Sequence, residues 1–190
     1  MINNFAIIKE YIKNTTTFEK NDFFFVQIIK RRKDNPEMIK DQQNIDNFYL
    51  YSIEDFEKYE ERIIESCKLN NARCLIRISK RNMEELASRT IILIAEAQAK
   101  KQYHLIPSAF SSACGKFSAG KNFWMIDVDD MSIFEEVNSF IQTVSKIHLI
   151  VPTKNGCHII INGFNPDLWI YDIKDKRVEL KTEATTNLIC

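Results

Sequence analysis

Three carboxylates follow directly on an apolar stretch near the middle of the chain, in the segment NFWMIDVDD. Asp127 and Asp129 are two residues apart, so on a β-strand their side chains project from one face, while Asp130 points the opposite way. Like charges held this close repel each other unless a cation neutralises them or one group keeps its proton. Carboxylate oxygens suit Mg²⁺ or Mn²⁺, which usually also hold substrate phosphates. The spacing therefore fits metal-assisted phosphoryl or nucleotidyl transfer.

The same acids also fit a purely structural role. The next segment, SIFEEVNSFIQTVSK, has the apolar spacing of a helix, and Asp129 and Asp130 precede it where an N-cap is expected. A D-x-D pair alone does not separate the two interpretations, so the choice depends on other residues.

A histidine follows a predicted hairpin turn in the segment VPTKNGCHIIINGF. Asn155 and Gly156 are typical of a two-residue turn between strands, and the missing side chain of Gly156 would let a ligand approach the backbone. With Lys154 before the turn and His158 after it, the segment offers a cation, hydrogen-bond donors and open backbone. These groups suit a triphosphate, although a lone histidine at the start of a strand is more often structural.

A third acid is available near the C-terminus, in the segment RVELKTEATTNL. Glu179 alternates with apolar neighbours and so faces away from whatever they bury. Its alternative role is that of an exposed strand carboxylate paired with Lys181. Asp172 and Asp175 compete for the same function but have the surroundings of turn residues.

The hydrophobic pattern predicts the elements that would carry these side chains. We expect a helix over 2–13, strands in DFFFVQIIKRR and NFYLYSI, a helix from about 53 to 69 capped by Ser52, a strand over 72–80 and a long helix capped by Asn82. From residue 72 the order is β-α-loop-β-α-β-β-β. Alternating helices and strands with one hairpin predict an α/β or α+β sandwich with helices on one face of the sheet, and we expect the α+β class. The irregular segment 102–121 is long enough to be a functional loop.

Composition limits the class of protein. The 190 residues suffice for one domain with its own core. Because 26 basic and 26 acidic residues cancel, affinity for nucleic acid must come from local patches. Five cysteines without C-x-x-C spacing argue against a zinc site or a disulfide framework. The N-terminus does not have the pattern of a signal peptide, and no apolar run could span a membrane, so we expect a cytoplasmic protein without membrane contact.

The order of these motifs resembles the archaeo-eukaryotic primase (primase-polymerase) superfamily. Its first motif, h-D-h-D, is matched by MIDVD, its second by Gly156-Cys157-His158, and its third, a hydrophobic residue followed by an acid, by VELK with Glu179. The resemblance covers roughly 71–190, and residues 1–70 would be an N-terminal α/β extension packing on the same domain. Glu replaces the usual Asp at the third motif, the chain ends soon after it, and the zinc-binding segment of many primases is missing. Some segments, such as PTKNGCH, are also similar to short phage-encoded proteins.

The resemblance implies a fold, an activity and a set of site residues. The fold would be an RNA-recognition-motif-like sheet, antiparallel or mixed, with helices behind it. Asp127, Asp129 and Glu179 would hold two Mg²⁺ or Mn²⁺ ions for nucleotidyl transfer from nucleoside triphosphates to a 3′-hydroxyl on a single-stranded DNA or RNA template. His158 would bind the phosphates. A helicase or another replication protein is the expected partner, in the host cytoplasm if the chain is phage-encoded.

Basic residues and the residues of the predicted hairpin turn are candidates for binding the triphosphate or the nucleic-acid backbone. Candidates for the triphosphate are Lys154, Asn155, Gly156, Lys116 and Lys121. Candidates for the backbone are the basic cluster KRRK (30–33), which includes Arg31 and Arg32, and the strand with Arg73, Arg77, Lys80 and Arg81. Solvated surface positions are the alternative for the lysines. The aromatic residues Phe23, Phe24, Phe25, Tyr49 and Tyr51 could stack on bases, although such strands more often belong to the core.

Two alternatives to a polymerase-like enzyme remain open. The chain could be a catalytically inactive module of the same fold that binds nucleotide or nucleic acid. The same carboxylates could also support metal-dependent phosphodiester hydrolysis, with water as the nucleophile.

Overall fold

The computed structural model describes residues 1–119, 123–171 and 177–190. Its helices are α1 (Phe5–Thr15), α2 (Ile53–Asn70), α3 (Met83–Ala99), α4 (Ala109–Lys116) and α5 (Phe134–Val144). Its strands are β1 (Asp22–Arg31), β2 (Gln42–Leu50), β3 (Arg73–Arg77), β4 (Arg81–Asn82), β5 (Phe123–Val128), β6 (Ile147–Pro152), β7 (Cys157–Asn162), β8 (Val178–Lys181) and β9 (Thr185–Ile189). The predicted α+β class is confirmed, and the strand pairings within the described part are antiparallel. None of the described helices is long and apolar enough to cross a membrane.

The first sheet has the order β2-β1-β3-β9, with β4 also paired to β1. Its aromatic strand β1 is buried on both faces. Phe24 belongs to the main core cluster with residues of α1 and α2, whereas Phe23 and Phe25 pack in a second cluster with residues of α3 and α4. These three phenylalanines are at most 1% exposed, so they are core residues and cannot stack on bases. Burying a large apolar side chain contributes about 1.5–3 kcal/mol, which explains why this strand is so aromatic.

The second sheet has the order β6-β7-β5-β8. Helix α5 connects β5 to β6, and its buried Val137 and Ile141 share a core cluster with Ile126 of β5 and Ile159 of β7. Since β7 lies between β5 and β6, the segment forms a split βαβ unit, with β8 added at the edge. This strand order supports the RNA-recognition-motif type of sheet that the resemblance implied, which stays a prediction.

The two sheets share one hydrophobic core cluster. Met125, Val151 and Ile160 of the second sheet belong to the same core cluster as residues of α1, α2, β1, β3 and β9. The buried Asn4 amide donates hydrogen bonds to the carbonyl oxygens of Pro152 and Asn187, at 3.0 and 2.9 Å, and so joins β6 to β9. The polar ends of β5 and β7 are therefore placed beside β9 and β3.

The predicted functional loop over 102–121 is largely helical instead. A 3₁₀ helix covers Tyr103–Ser108 and α4 follows directly. Ala113 and Cys114 of α4 are fully buried in the cluster around Phe25. Small side chains let this short helix lie close to β1, but they give almost no hydrophobic periodicity, so the sequence pattern was wrongly interpreted as a loop.

Two helix caps were predicted correctly. The Ser52 side chain accepts a hydrogen bond from the backbone N–H of Asp55, and the Asn82 side chain accepts from Glu84 and Glu85. Such caps satisfy N–H groups that have no partner within the helix. They fix the starts of α2 and α3, the two longest helices.

Candidate functional site

Three of the predicted site residues form a row across adjacent strands. In the strand register, Asp127 of β5 lies opposite His158 of β7 on one side and opposite Glu179 of β8 on the other. Residues directly opposite each other in antiparallel strands have their side chains on the same face. The hairpin between β6 and β7 sets part of this register, because the backbone N–H of Thr153 donates to the carbonyl oxygen of Gly156 at 2.9 Å.

The carboxylate of Asp127 has two charged or polar partners. Its Oδ1 lies 3.2 Å from Nε2 of His158, and its Oδ2 lies 2.6 Å from Nζ of Lys181. The same Nζ lies 3.2 Å from Oε2 of Glu179. One ammonium group therefore contacts both carboxylates of the row.

The His158 ring is held from its other side by Thr186. Nδ1 of His158 lies 2.8 Å from the Thr186 hydroxyl, which is fully buried on β9. When Nε2–H donates to Asp127, Nδ1 accepts a hydrogen bond from the hydroxyl. Because both ring nitrogens have protein partners, a phosphate contact by His158, as the resemblance implied, requires one of these bonds to be exchanged.

The local charges shift the pKa values of Asp127 and Lys181. Burial alone would raise the pKa of Asp127, but the hydrogen bond from His158 and the charge of Lys181 together hold it well below its usual range. Burial alone would lower the pKa of Lys181, but the carboxylates of Asp127 and Glu179 raise it. Asp127 is therefore ionised and Lys181 protonated at neutral pH.

Asp127 and His158 of this row line a cleft of about 480 Å³ that is bordered by residues of both sheets. Seven predicted site residues line it, namely Arg31, Arg73, Asp127, Asp129, Lys154, Asn155 and His158. Five polar lining residues were not predicted as site residues, namely Asp34, Thr153, Lys181, Thr185 and Asn187, and Lys33 of the predicted basic cluster 30–33 lines the cleft as well. Glu179 is not among the lining residues; its carboxylate contacts the lining residue Lys181, and 68% of its side chain is exposed.

The turn between β1 and β2 brings basic residues to the cleft. Asp34 in this turn accepts two hydrogen bonds from the Arg73 guanidinium, at 2.8 and 2.7 Å. These bonds, with weaker contributions from the charges of Arg31 and Lys154, lower the pKa of Asp34. The side chains of Arg31, Lys33 and Lys154 have no ion-pair partner in the described part of the chain, so their charges are available to an anion in the cleft.

The structure separates the three acids of the D-x-D segment. Asp130 accepts a hydrogen bond from the backbone N–H of Ser132 at 2.9 Å and caps the 3₁₀ helix Met131–Ile133. The capping interpretation thus describes Asp130. Asp129 is exposed at the edge of the cleft, beyond Asp127.

Gly156 contacts the protein backbone rather than open space. A Cβ atom at this position would lie 1.8 Å from the carbonyl oxygen of Val128. The absent side chain therefore lets the β6–β7 hairpin approach the end of β5. This contact supports the register that places His158 beside Asp127.

The other predicted residues lie outside the cleft. Arg77 pairs with Glu183, and Arg32 pairs with Asp41 at 2.8 Å beside a neighbouring shallow cavity. Lys116 ends α4 and lines a different cavity, with Glu96 and Lys100. Three further candidates, Lys121, Asp172 and Asp175, lie outside the described residues.

A second large cavity, of about 530 Å³, lies at the opposite end of β5, around Phe123, Lys146 and His148. Glu19 is the one acid among its described lining residues. It therefore lacks the paired carboxylates that make the Asp127 cleft the better candidate for phosphate chemistry.

The carboxylates of Asp127 and Glu179 are the candidate metal ligands at the cleft. Within the described residues, no group of three or more His, Cys, Asp or Glu side chains is arranged to hold one. However, Asp127 and Glu179 already converge on a common cation, the Lys181 ammonium. Their oxygens fit a hard divalent ion such as Mg²⁺, which normally relies on one or two carboxylates and completes its shell with water and substrate phosphates.

Comparisons with known proteins found no matching family model, no matching curated protein and no matching solved structure. The cleft and its residues are therefore the features of the chain that point to a function.

Proposed function

We propose that the chain is a primase-like nucleotidyltransferase. It transfers nucleotides from nucleoside triphosphates to a 3′-hydroxyl on a single-stranded DNA or RNA template, with Mg²⁺ or Mn²⁺ as cofactor. The observation that supports this proposal is the row of Asp127, His158 and Glu179 on one sheet face. Asp127 and His158 line a cleft with Arg31, Lys33 and Lys154, which have no ion-pair partner among the described residues.

The carboxylates of Asp127 and Glu179, with Asp129 at the edge, would hold the divalent ions. Bound there, such an ion lowers the pKa of the attacking hydroxyl and neutralises phosphate charge. His158, fixed by Thr186, orients the Asp127 carboxylate through its hydrogen bond. The sheet thus supplies a ligand whose position is set before the substrate arrives.

The cations of the cleft would bind the triphosphate. Lys154 lies in the turn of the β6–β7 hairpin, and Arg31 at the end of β1 and Lys33 in the β1–β2 turn line the same cleft. Lysine and arginine are common ligands of phosphate oxygens. Arg73 supports this arrangement indirectly, because its bonds to Asp34 tie the turn to β3.

The adjoining shallow cavity would bind the template backbone. It is lined by Arg31, Arg32 and Lys33 and so continues the basic surface beyond the cleft. Contacts of this type are largely independent of sequence and weaken as the salt concentration rises.

A template-extension assay tests the proposal. The full chain is incubated with a primed single-stranded template, labelled nucleotides and Mn²⁺ or Mg²⁺. We expect incorporation that falls by at least about 100-fold in Asp127→Asn, because a positioned metal ligand is lost. Asp167→Asn, the same change in the exposed 3₁₀ helix Pro166–Leu168, is the matched control. No incorporation by the wild-type chain on DNA or RNA with either ion would overturn the proposal, and cleavage of single strands would favour the phosphodiesterase.

A second candidate is a binding module without turnover. The observation that favours it is the ammonium of Lys181 between the two carboxylates, together with the high exposure of Glu179. This candidate predicts that Asp127→Asn binds a fluorescent nucleoside triphosphate at least as well as wild type, because a negative charge of the cleft is removed, and that neither chain extends a primer.

A further inference from the structure

The carboxylate pair of the cleft is already bridged by a cation of the chain itself. Nζ of Lys181 lies 2.6 Å from Oδ2 of Asp127 and 3.2 Å from Oε2 of Glu179. The strand register explains this contact: Asp127 lies opposite Glu179, and Lys181 follows two residues later on the same face of β8. Each distance is short enough for a hydrogen bond with an ionised donor and an ionised acceptor.

We propose that Lys181 is a built-in counter-ion that occupies the cation position between Asp127 and Glu179 and must leave before a divalent ion binds there. This inference rests on the proposed function and adds a competition that regulates the same site.

Simultaneous occupation is unfavourable because both cations need the same oxygens. Lys181 lies between Oδ2 of Asp127 and Oε2 of Glu179, so a metal ion that bound these two oxygens together would take the position of the ammonium. The Asp127 side chain is only 17% exposed, so repulsion between two neighbouring cations is weakly screened. Burial opposes the charge of Lys181 but the two carboxylates raise its pKa, so at neutral pH the competitor is a full cation.

Displacement of the Lys181 ammonium would couple metal binding to nucleotide binding. Lys181 lines the cleft together with Arg31, Lys33 and Lys154. The phosphates of a nucleotide in this cleft are anions that the released ammonium could contact instead. A metal ion that arrives with a triphosphate therefore displaces Lys181 more easily than a metal ion alone, which links cofactor binding to substrate binding.

The inference is tested by measuring the Mn²⁺ affinity of the full chain without nucleotide. Titration calorimetry and the electron paramagnetic resonance signal of free Mn²⁺ both report this affinity. Lys181→Met keeps the side-chain length and removes the charge. We expect it to bind Mn²⁺ about tenfold more tightly than wild type, a difference of about 1.4 kcal/mol, because no hydrogen bonds between charged groups have to be broken before the ion binds. Lys181→Gln, with the charge also removed, should show the same direction.

Lys154→Met is the matched control. It removes one positive charge from the same cleft, but Lys154 contacts neither carboxylate of the pair among the described contacts. We expect its Mn²⁺ affinity to rise by no more than about threefold, because a charge acting over a longer distance is partly screened. Asp127→Asn should lose most of the binding in every background, which assigns the bound ion to this site.

Three results would overturn the inference. Equal Mn²⁺ affinity in wild type and Lys181→Met would show that Lys181 does not compete, while leaving the proposed metal site in place. An equal gain in Lys181→Met and Lys154→Met would show a general effect of charge. Binding in none of the variants would overturn both the competition and the metal site. Circular dichroism and thermal unfolding check that each variant is folded.

Discussion

Nδ1 of His158 lies 2.8 Å from the buried hydroxyl of Thr186, while Nε2 of the same ring lies 3.2 Å from Asp127. Thr186 belongs to β9 of the first sheet and His158 to β7 of the second. The hydrogen bond thus connects the two sheets and fixes the ring that orients the carboxylate. A group that fixes a ligand from behind can matter nearly as much as the ligand itself.

Thr186→Val should separate this positioning role from simple packing. Valine keeps the shape of threonine but removes the hydroxyl, so Nδ1 of the buried His158 loses its partner. We expect the free energy of unfolding to fall by about 1–2 kcal/mol. Nitrogen chemical shifts of the imidazole should report a changed tautomer balance. A variant with unchanged imidazole shifts and unchanged Mn²⁺ affinity would show that Thr186 only fills space.

Low pH should lower the free energy of unfolding, partly because the Asp127 carboxylate becomes protonated. Its pKa is lower in the folded chain than the value of about 3.9 expected in the unfolded chain. A depressed carboxyl pKa adds stability that is fully present above the unfolded value and is lost as pH falls toward the folded value. At pH 6, Asp127→Asn should therefore be less stable than wild type by about 1–3 kcal/mol, and this difference should shrink below about pH 4.

Urea unfolding of both chains at pH 6, 4 and 3 measures this difference. Asp167→Asn, which makes the same chemical change in the exposed 3₁₀ helix Pro166–Leu168, shows what the substitution costs away from Lys181 and His158. A constant difference between wild type and Asp127→Asn over this pH range would contradict the assigned role of the ionised carboxylate.

Asp34→Asn should act on stability and on anion binding in opposite directions. The change weakens the paired hydrogen bonds with Arg73, whose side chain is 20% exposed, and should cost about 1–2 kcal/mol of stability. It also removes a negative charge near Arg31 and Lys154. The affinity of the cleft for inorganic triphosphate should therefore rise, by about threefold to tenfold at low salt.

Titration calorimetry with inorganic triphosphate and thermal unfolding measure the two effects separately. Asp41→Asn is the matched control, because Asp41 pairs with Arg32 in an exposed position and its loss should change stability by less than about 0.5 kcal/mol. A weaker binding of triphosphate in Asp34→Asn would place the anion elsewhere than beside Arg31 and Lys154.

Local patterns in the sequence predicted the strand that carries Asp127 and the turn that precedes His158, because both depend on neighbouring residues. The register between β5 and β8 depends on residues far apart in sequence, so the contact of Lys181 with Asp127 could not be predicted. One signal was available: Lys181 is two residues from Glu179 and must share its face. The role of Asp34 could not be predicted either, because this turn residue pairs with Arg73 on β3, which is far away in the sequence.

Gly156→Ala should test whether the hairpin sets the row of site residues. A Cβ atom at this position would lie 1.8 Å from the Val128 carbonyl oxygen, so the end of β5 or the hairpin has to move. Displacing backbone in a packed region typically costs about 1–3 kcal/mol or more. Because β5 and β7 carry Asp127 and His158, their contact should be disturbed as well.

Gly115→Ala provides the contrast within the same chain. Its Cβ atom would lie 3.4 Å from Nη2 of Arg77, at an ordinary contact distance, and alanine favours the helix α4 by up to about 1 kcal/mol over glycine. Thermal unfolding and Mn²⁺ titration should therefore show a stable, metal-binding Gly115→Ala and a destabilised Gly156→Ala with reduced metal affinity. Normal stability and metal binding in Gly156→Ala would mean that the hairpin does not position His158 against Asp127.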